Sequence, residues 1–363
     1  MKKYKTLSMM TAVMMLISAL SVGTQALASP EPMIDKNLEG LTSYSSASWN
    51  QAFNSESEIT DASDIVIHGV VVDTEPELRH DMVFTRNYIS VTKVSKGEVQ
   101  VGDVIIVVQT GGTFSKYSTP AISEIPLLET NKEYELYLTL TEYSKTYGQY
   151  YLISGGYQGV LEIQDNGSLM TLSNQNTVFN QKDTVLSESG SIDTRATTPA
   201  YSYYWNKNSL VVYVQGNIRD RYHANTRVGI CNGIHAWADK TDSPSTSITI
   251  STVDADVCVY MYDYGATGWD AETTTYVDPN TNICDYSRMT VNAHYLTNYY
   301  DMEGLWQAIA CHEFGHTLGL SHNDSGTASI MRSVTTDYFN YRGLLPRYKV
   351  PKQADITPIN AKY

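Results

Sequence analysis

Apolar runs separated by glycine pairs dominate the chain between residues 62 and 165. Gly111–Gly112 and Gly155–Gly156 indicate turns, and no stretch of any length has the period of a helix. One of the runs alternates apolar and polar side chains, which is the period of a strand with one buried face. The strand candidates are Ile65–Val72, Val104–Val108 and the alternating segment Tyr134–Leu140. Residues 62–165 are therefore predicted to form a small all-β domain, either a barrel or a sandwich.

From about residue 201 the pattern changes to one of mixed helices and strands. Apolar side chains about one turn apart predict a helix over residues 220–240, and Pro351 is suited to open a last helix that runs to Ile359. Strands are predicted at Leu210–Val214, Ser247–Ser251, Val257–Tyr262 and Met289–Asn292. This order of elements predicts an α+β domain over residues 201–363.

Three segments outside these domains have compositions of their own. Residues 1–28 combine a basic start, a short apolar stretch and an Ala-Leu-Ala cleavage site, which predicts a secretory signal peptide of bacterial type. Residues 29–61 form an N-terminal segment, and residues 166–200 are a polar linker in which Arg195 is a candidate cleavage point. We therefore expect a secreted protein with two domains.

The charge balance narrows the range of partners. The chain has 39 acidic and 25 basic side chains, a formal net charge of −14. A surface this acidic repels phosphate backbones, so nucleic acid is not expected as a partner. After the signal peptide no segment is long and apolar enough to span a bilayer, so no membrane span is predicted. The oligomeric state is not predicted.

The segment with the most chemistry has the pattern H-E-x-x-H-x-x-G-x-x-H. On a helix, His312 and His316 are one turn apart and project from one face, where both imidazoles can bind one metal ion. Glu313 lies one step round the helix, beside that ion. Gly319 accepts the left-handed conformation that ends a helix, so the chain can turn back and bring in His322. Three protein ligands and an open position are typical of a catalytic zinc.

The same region resembles the metzincin superfamily of zinc endopeptidases. That resemblance depends on the histidine pattern and on a methionine a short distance after it, here Met331, nine residues after His322. The form Ser329-Ile330-Met331 and the layout of residues 201–363 look most like the matrixin branch.

The resemblance implies a fold, a cofactor and a reaction. It implies a twisted sheet with an active-site helix and a C-terminal helix. Independently of the resemblance, Asp301 is suited to cap the active-site helix. The resemblance also implies one catalytic zinc on the three histidines, with protein or peptide substrates. Glu313 would be the general base, and Met331 would form the floor under the histidines. Tyr338 and Tyr341 are candidates to assist the transition state.

The sequence also departs from the family pattern. Asn323, directly after the third histidine, matches none of the commonest branches, and no H-x-D segment for a second, structural zinc is present. No cysteine precedes Cys231, so the usual cysteine that silences a matrixin is absent. The all-β domain is therefore interpreted either as an inhibitory pro-domain of a zymogen or as a binding module.

Three further alternatives stay open on the sequence alone. An even count of cysteines in a secreted chain suggests two disulfides in one of three connectivities, and buried free thiols are the alternative. The cysteines are Cys231, Cys258, Cys284 and Cys311. Asp278, Asn280 and Asn282 have the spacing of a calcium loop or of a polar surface turn. For function, the alternative is a zinc-containing binding protein or adhesin without turnover, in which the β domain matters most.

Overall fold

Strands and helices are mixed along the chain. A computed structural model describes residues 38–172, 197–216, 225–249, 251–295, 302–340 and 347–363. Its strands are β1 (Thr42–Trp49), β2 (Ile65–Arg79), β3 (Met82–Lys96), β4 (Val104–Thr110), β5 (Gly112–Phe114), β6 (Tyr117–Thr119), β7 (Glu133–Leu140), β8 (Tyr151–Ile153), β9 (Val160–Ile163), β10 (Leu169–Thr171), β11 (Ser209–Val214), β12 (Ser245–Thr249), β13 (Val257–Tyr262), β14 (Trp269–Val277) and β15 (Cys284–Asn292). Its helices are α1 (Glu56–Ala62), α2 (Thr226–Ala238), α3 (Met302–Thr317), α4 (Thr335–Tyr338) and α5 (Gln353–Lys362), with 3-10 turns at Gly156–Gly159 and Ala293–Tyr295.

Five of the strands between residues 65 and 153 form a small closed barrel, and β5 and β6 pair with each other in a separate sheet. The order of the barrel is β7-β2-β3-β4-β8, and a pairing of β7 with β8 closes the ring. Strands β2 and β3 are long and bend through several register shifts, as closure of a small barrel requires. Ile67, Val71, Ile89, Val107 and Leu136 are fully buried in this region. The alternating run predicted at residues 134–140 lies in β7, with Tyr134, Leu136 and Leu138 inside.

The second sheet has the order β1-β14-β15-β13-β11-β12. Strands β11, β12, β13 and β15 are parallel, whereas β14 runs antiparallel to β15 and β1 antiparallel to β14. Every residue of β13 is buried, which is typical of a parallel strand covered on both faces. One hydrophobic core joins this sheet to α2 and α3 through side chains such as Val259, Met289, Ile234, Ile309 and Phe314.

Helix α2 packs closely on α3 because two glycines face it. A Cβ on Gly229 would lie 2.5 Å from the carbonyl oxygen of Glu303, and a Cβ on Gly233 would lie 2.4 Å from that of Gln307. Glycine therefore lets the two backbones approach more closely than any other residue would. This contact fixes the position of α3 against the sheet.

Two strands of this sheet were absent from the sequence predictions. β14 is rich in threonine and acidic residues, yet eight of its nine residues are buried. Its side chains lack the apolar alternation that predicts a strand, because most of them are polar. They can be buried because they form hydrogen bonds inside the protein. β1 comes from the N-terminal segment, for which no strand was predicted. The described residues between 38 and 363 cluster into one unit by their contacts.

Buried polar contacts join the barrel to the second sheet. The Arg79 guanidinium donates to the Tyr264 carbonyl oxygen and to the Tyr150 hydroxyl, each at 2.9 Å. Asp81 forms an ion pair with Arg288 at 2.7 Å and accepts from the Tyr264 hydroxyl at 2.7 Å. Removing either member of a buried charged pair is costly, so the barrel is firmly attached to the sheet.

The expectation of two disulfides is corrected by the structure. All four cysteines lie in described residues, and none of them forms a disulfide with another; Cys231 is half-buried and the other three are buried. The four thiols occupy four different elements, α2, β13, β15 and α3. No cross-link therefore pins α3, and its position depends on packing.

The structure also describes the segment Asp278–Asn282 and bears on the prediction that no segment spans a membrane. Asp278 accepts hydrogen bonds from the backbone and side-chain nitrogens of Asn280 at 2.8 and 3.1 Å, in the turn between β14 and β15. These bonds lower the pKa of Asp278 and hold this turn, while the calcium alternative stays a prediction. In the ranges that the structure covers, no helix combines the length and apolarity needed to cross a membrane. The signal peptide, Asp301 and Arg195 lie outside the described residues.

Candidate metal centre and active site

Three histidines converge at the C-terminal end of α3. His312 and His316 are one turn apart on the helix, and Gly319 ends it with a φ of +92°. A side chain at Gly319 would also collide with the Tyr203 carbonyl oxygen, 2.9 Å from the position of its Cβ. The turn brings His322 back, so that one nitrogen from each ring lies within 4.8 Å of the other two. The spacing in the sequence therefore produces the predicted cluster.

Backbone carbonyls fix the orientation of the first two rings. His312 Nδ1 lies 2.8 Å from the Ile330 carbonyl oxygen, and His316 Nδ1 lies 2.8 Å from that of Leu320. A carbonyl only accepts, so both Nδ1 atoms carry a proton and both Nε2 atoms have a lone pair. The two Nε2 atoms face each other at 3.0 Å. Burial holds the pKa of both rings well below the usual value, so both are neutral.

The third ring has a carboxylate partner from the barrel side of the protein. His322 Nδ1 lies 3.4 Å from Glu124 Oε1, and both side chains are nearly buried. His322 Nε2 and Glu124 Oε2 have no hydrogen-bond partner among the described residues. Burial opposes the charged form of His322, but the hydrogen bond and the charge of Glu124 raise its pKa overall. A carboxylate on Nδ1 leaves Nε2 as the atom that could face a metal, as in the two other rings.

Glu313 is enclosed beside the histidines. Ser48 Oγ donates to its Oε1 at 2.6 Å, and Thr273 Oγ1 donates to its Oε2 at 2.6 Å. The side chain is fully buried, and that burial raises the pKa of Glu313 to about 8, while the two hydroxyl donors act in the opposite direction. Both oxygens of the predicted general base therefore have hydroxyl partners.

The turn that contains Met331 lies directly beneath α3. A Cβ on Gly315 would lie 2.4 Å from the Met331 sulfur, so a glycine is needed at this contact. Asp355, at the start of α5, accepts from Ser329 Oγ at 2.5 Å and from the Ile330 backbone N–H at 2.9 Å. The carboxylate of α5 thus holds the turn in place under the histidines.

Of the two tyrosines predicted to assist catalysis, one is described. The ring of Tyr338 stacks on His312, with centroids 4.9 Å apart, and its hydroxyl donates to Ser48 Oγ at 3.4 Å. Burial raises the pKa of Tyr338, so the phenol stays protonated. Tyr341 lies outside the described residues.

Sequence reasoning missed four residues that surround the site. Ser48 and Glu124 belong to segments far from the motif, and a serine or glutamate there has no local pattern to distinguish it. Thr273 lies on the strand that was not predicted. Asp355 carried a local signal, since it lies in the first turn of the last helix after Pro351, where a carboxylate caps the backbone.

Comparison with known proteins adds no assignment. No protein-family model matches the chain, and no curated protein matches it. The functional inference therefore depends on the residues of this chain and on the resemblance that its motif carries.

Proposed function

We propose that this chain is a zinc-dependent endopeptidase. Its single catalytic zinc would be held by His312, His316 and His322, with Glu313 as the general base. The observation that carries the proposal is the pair of Nε2 atoms facing each other at 3.0 Å, with both Nδ1 protons committed to carbonyls. Peptide substrates follow from the resemblance of the motif and of Met331 to the metzincin pattern.

The donor set fits a zinc ion. Two lone pairs at this distance repel each other unless a cation lies between them, and burial disfavours an additional proton on either ring. Zinc–nitrogen bonds of about 2.1 Å bring ligand nitrogens within about 3.5 Å of one another, close to the 3.0 Å between the Nε2 atoms of His312 and His316. Each ring also has an acceptor on its other nitrogen, namely Ile330 O, Leu320 O or Glu124. That outer shell is typical of zinc ligands.

The chain's own groups can then perform hydrolysis. Zinc, when bound, supplies Lewis acidity toward a water molecule and toward the scissile carbonyl. The ionised form of Glu313 accepts a proton from the attacking water as the carbon–oxygen bond forms, and delivers it to the amine nitrogen as the carbon–nitrogen bond breaks. Thr273 keeps the carboxylate oriented through its Oγ1 hydrogen bond. Met331 and Asp355 hold the floor of the site and take no part in proton transfer.

The proposal is tested with Glu313→Gln. We expect this variant to keep one zinc per chain and to lose about 100-fold to 10,000-fold in peptide hydrolysis, the usual contribution of a general base. Glu303→Gln, a partly exposed glutamate on the same helix, is the matched control and should behave as wild type. Hydrolysis is measured on casein and on a mixed peptide library, before and after limited proteolysis of the N-terminal region. Wild type that binds zinc but cleaves nothing in either form would contradict the endopeptidase function.

A zinc-containing protein without turnover is the second candidate. The complete burial of Glu313 and the occupation of both its oxygens by Ser48 and Thr273 favour it. In that case zinc would stabilise the fold, and the all-β domain would carry the binding function. Glu313→Gln would then change neither zinc content nor any measured activity.

A further inference from the structure

The edge of the second sheet is occupied by β1, a strand from the N-terminal segment. It pairs antiparallel with β14 over its whole length, with Ser46 opposite Thr273 and Ser48 opposite Ala271. On its other side, the Ser45 backbone N–H donates to Ser123 Oγ at 3.2 Å, and the Ser123 N–H donates to the Ser45 carbonyl at 3.0 Å. Both edges of β1 are thus hydrogen-bonded.

The C-terminal end of β1 lies at the candidate active site. Ser48 Oγ donates to Glu313, and the Trp49 backbone N–H donates to the Ser333 carbonyl at 2.9 Å. Ser333 follows Met331 closely, so β1 runs between strand β14 and the segment after the methionine turn. An extended peptide added to a sheet edge is recognised through backbone hydrogen bonds of this kind. The position of β1 is therefore one that an extended peptide could take.

We propose that β1 occupies the peptide-binding position beside Glu313 and keeps the intact chain latent, and that the barrel remains in place when β1 leaves. This inference rests on the proposed function for its consequence in catalysis. Its structural part, a removable strand that covers the metal centre, can be tested without catalysis.

The side chains of β1 suit a removable segment. Six of its eight residues are serine, threonine or alanine, so only Tyr44 and Trp49 bring large apolar surface to the contact. Strand pairing without much apolar burial contributes little net stability, because each hydrogen bond replaces one to water. Cutting the chain after β1 would remove the covalent tether that keeps the strand at a high local concentration.

The barrel differs from β1 because buried charged groups attach it to the second sheet and because one of its side chains contacts a histidine of the cluster. It is attached through the buried Arg79 and the Asp81–Arg288 ion pair, and its Glu124 faces Nδ1 of His322. Loss of the barrel would remove a partner of a metal ligand, whereas loss of β1 would uncover Glu313. The covering part and the supporting part of the N-terminal region are therefore different segments.

The experiment releases β1 in the full chain. A recognition sequence for a sequence-specific serine protease is inserted after Gln51, an exposed residue in the loop between β1 and α1. A second form also carries Ser43→Cys and Tyr276→Cys, which are opposite each other in β1 and β14. The backbone N–H and carbonyl of Ser45 point toward Ser123, so Ser45 and its partner in β14 form a non-hydrogen-bonded pair. Such pairs recur at every second residue, so Ser43 and Tyr276 form another. Cα atoms in these pairs approach to about 4.5 Å, a distance at which a disulfide fits.

Three properties are measured in the uncut, cut and cross-linked forms. They are hydrogen exchange of the β14 amides, the rate at which a chelator removes zinc, and peptide hydrolysis. We expect all three to rise in the cut chain, hydrolysis by about 100-fold, as for an open fraction of about 1% in the uncut chain. The cut chain with an oxidised cross-link should behave as the uncut chain, and reductant should restore the released behaviour. The cut Ser43→Cys single variant is the matched control and should not respond to oxidation or reduction.

The outcomes separate this inference from the proposed function. Exposed β14 amides and faster zinc removal without hydrolysis would support the removable cover and contradict the endopeptidase. Equal hydrolysis in the uncut, cross-linked and cut forms would overturn the inference and leave the endopeptidase intact. Amides of β14 that stay protected after the cut would show that β1 is a permanent strand and would also overturn it.

Discussion

The proposed metal ligands and the groups that surround them are encoded in opposite ways. The three histidines lie within eleven residues, on α3 and the turn after it. The groups that enclose them come from distant segments, and Ser48 is 265 positions from the Glu313 that it contacts. A short helix and one glycine thus bring together the atoms that could bind a metal, whereas the tertiary fold determines which groups enclose them.

This difference has a physical cause. Helical spacing is a local property, so the sequence alone places His312 and His316 on one face. The enclosure depends on which strand pairs with β14, and pairing between segments far apart is decided by the whole fold. Local changes should therefore abolish metal binding, whereas changes in the surroundings should alter stability, affinity or access.

The largest effect, on zinc affinity, is expected when a histidine of the local motif is removed. His316→Ala removes one of three ligands and should lower zinc affinity by at least about 1,000-fold, since one ligand of a structural or catalytic zinc contributes several kcal/mol. Zinc content after dialysis against a weak chelator should fall from one per chain to near zero. His294→Ala, at a partly exposed histidine outside the cluster, is the control. Retention of zinc by His316→Ala would show that the metal is held elsewhere.

The sequence could predict the histidine motif and the apolar strands, but it could predict little of the surroundings that enclose the motif. The motif, Gly319 and Met331 lie close together in the chain, and the strands at residues 210–214 and 257–262 have continuous apolar patterns. β14 escaped prediction because Glu272 and three consecutive threonines are buried there with hydrogen-bond partners. β1 escaped because serines carry no strand signal, and its pairing with β14 is a long-range event.

The pH dependence of stability reports whether the region around β14 excludes water. Asp270 on β14 is buried, and burial raises its pKa from 3.8 to about 6. The folded state therefore holds the proton more tightly. The resulting stabilisation is complete below pH 3.8 and is lost as the pH rises through 6, by about 3 kcal/mol in all. The phenols of Tyr295 and Tyr338 are the other titratable groups coupled to it, and both stay neutral over this range.

Urea unfolding between pH 4 and pH 7 measures this effect. Asp270→Asn cannot ionise, so the free energy of unfolding of wild type should fall relative to that of the variant as the pH rises. Parallel pH profiles for the two proteins would mean that water reaches Asp270 and that the region around β14 is open.

A substitution in the contact between α2 and α3 tests whether the helix that carries the motif needs the support of α2. In Gly233→Ala, the new Cβ would lie 2.4 Å from the Gln307 carbonyl oxygen and 2.7 Å from the Cys311 backbone nitrogen. Alanine favours a helix by about 0.5–1 kcal/mol over glycine, but overpacking against backbone costs more, so we expect a net loss of about 2 kcal/mol. Gly216→Ala, with no heavy atom within 4 Å, is the control in a urea titration. An unchanged midpoint for Gly233→Ala would show that α3 can shift without cost.

A smaller effect on zinc affinity than that of His316→Ala should come from the contact between Glu124, on the barrel side, and the proposed ligand His322. Glu124→Gln keeps the size of the side chain but removes the charge that faces His322 Nδ1 at 3.4 Å. Loss of such an outer-shell carboxylate lowers zinc affinity by about 10-fold to 100-fold, or about 1.4 to 2.7 kcal/mol. Glu129→Gln, at an exposed glutamate further along the same loop, is the matched control in a competition with a chelator of known affinity. Equal zinc affinity in both variants would mean that the barrel attaches to the sheet without supporting the metal, and that the histidine motif is sufficient by itself.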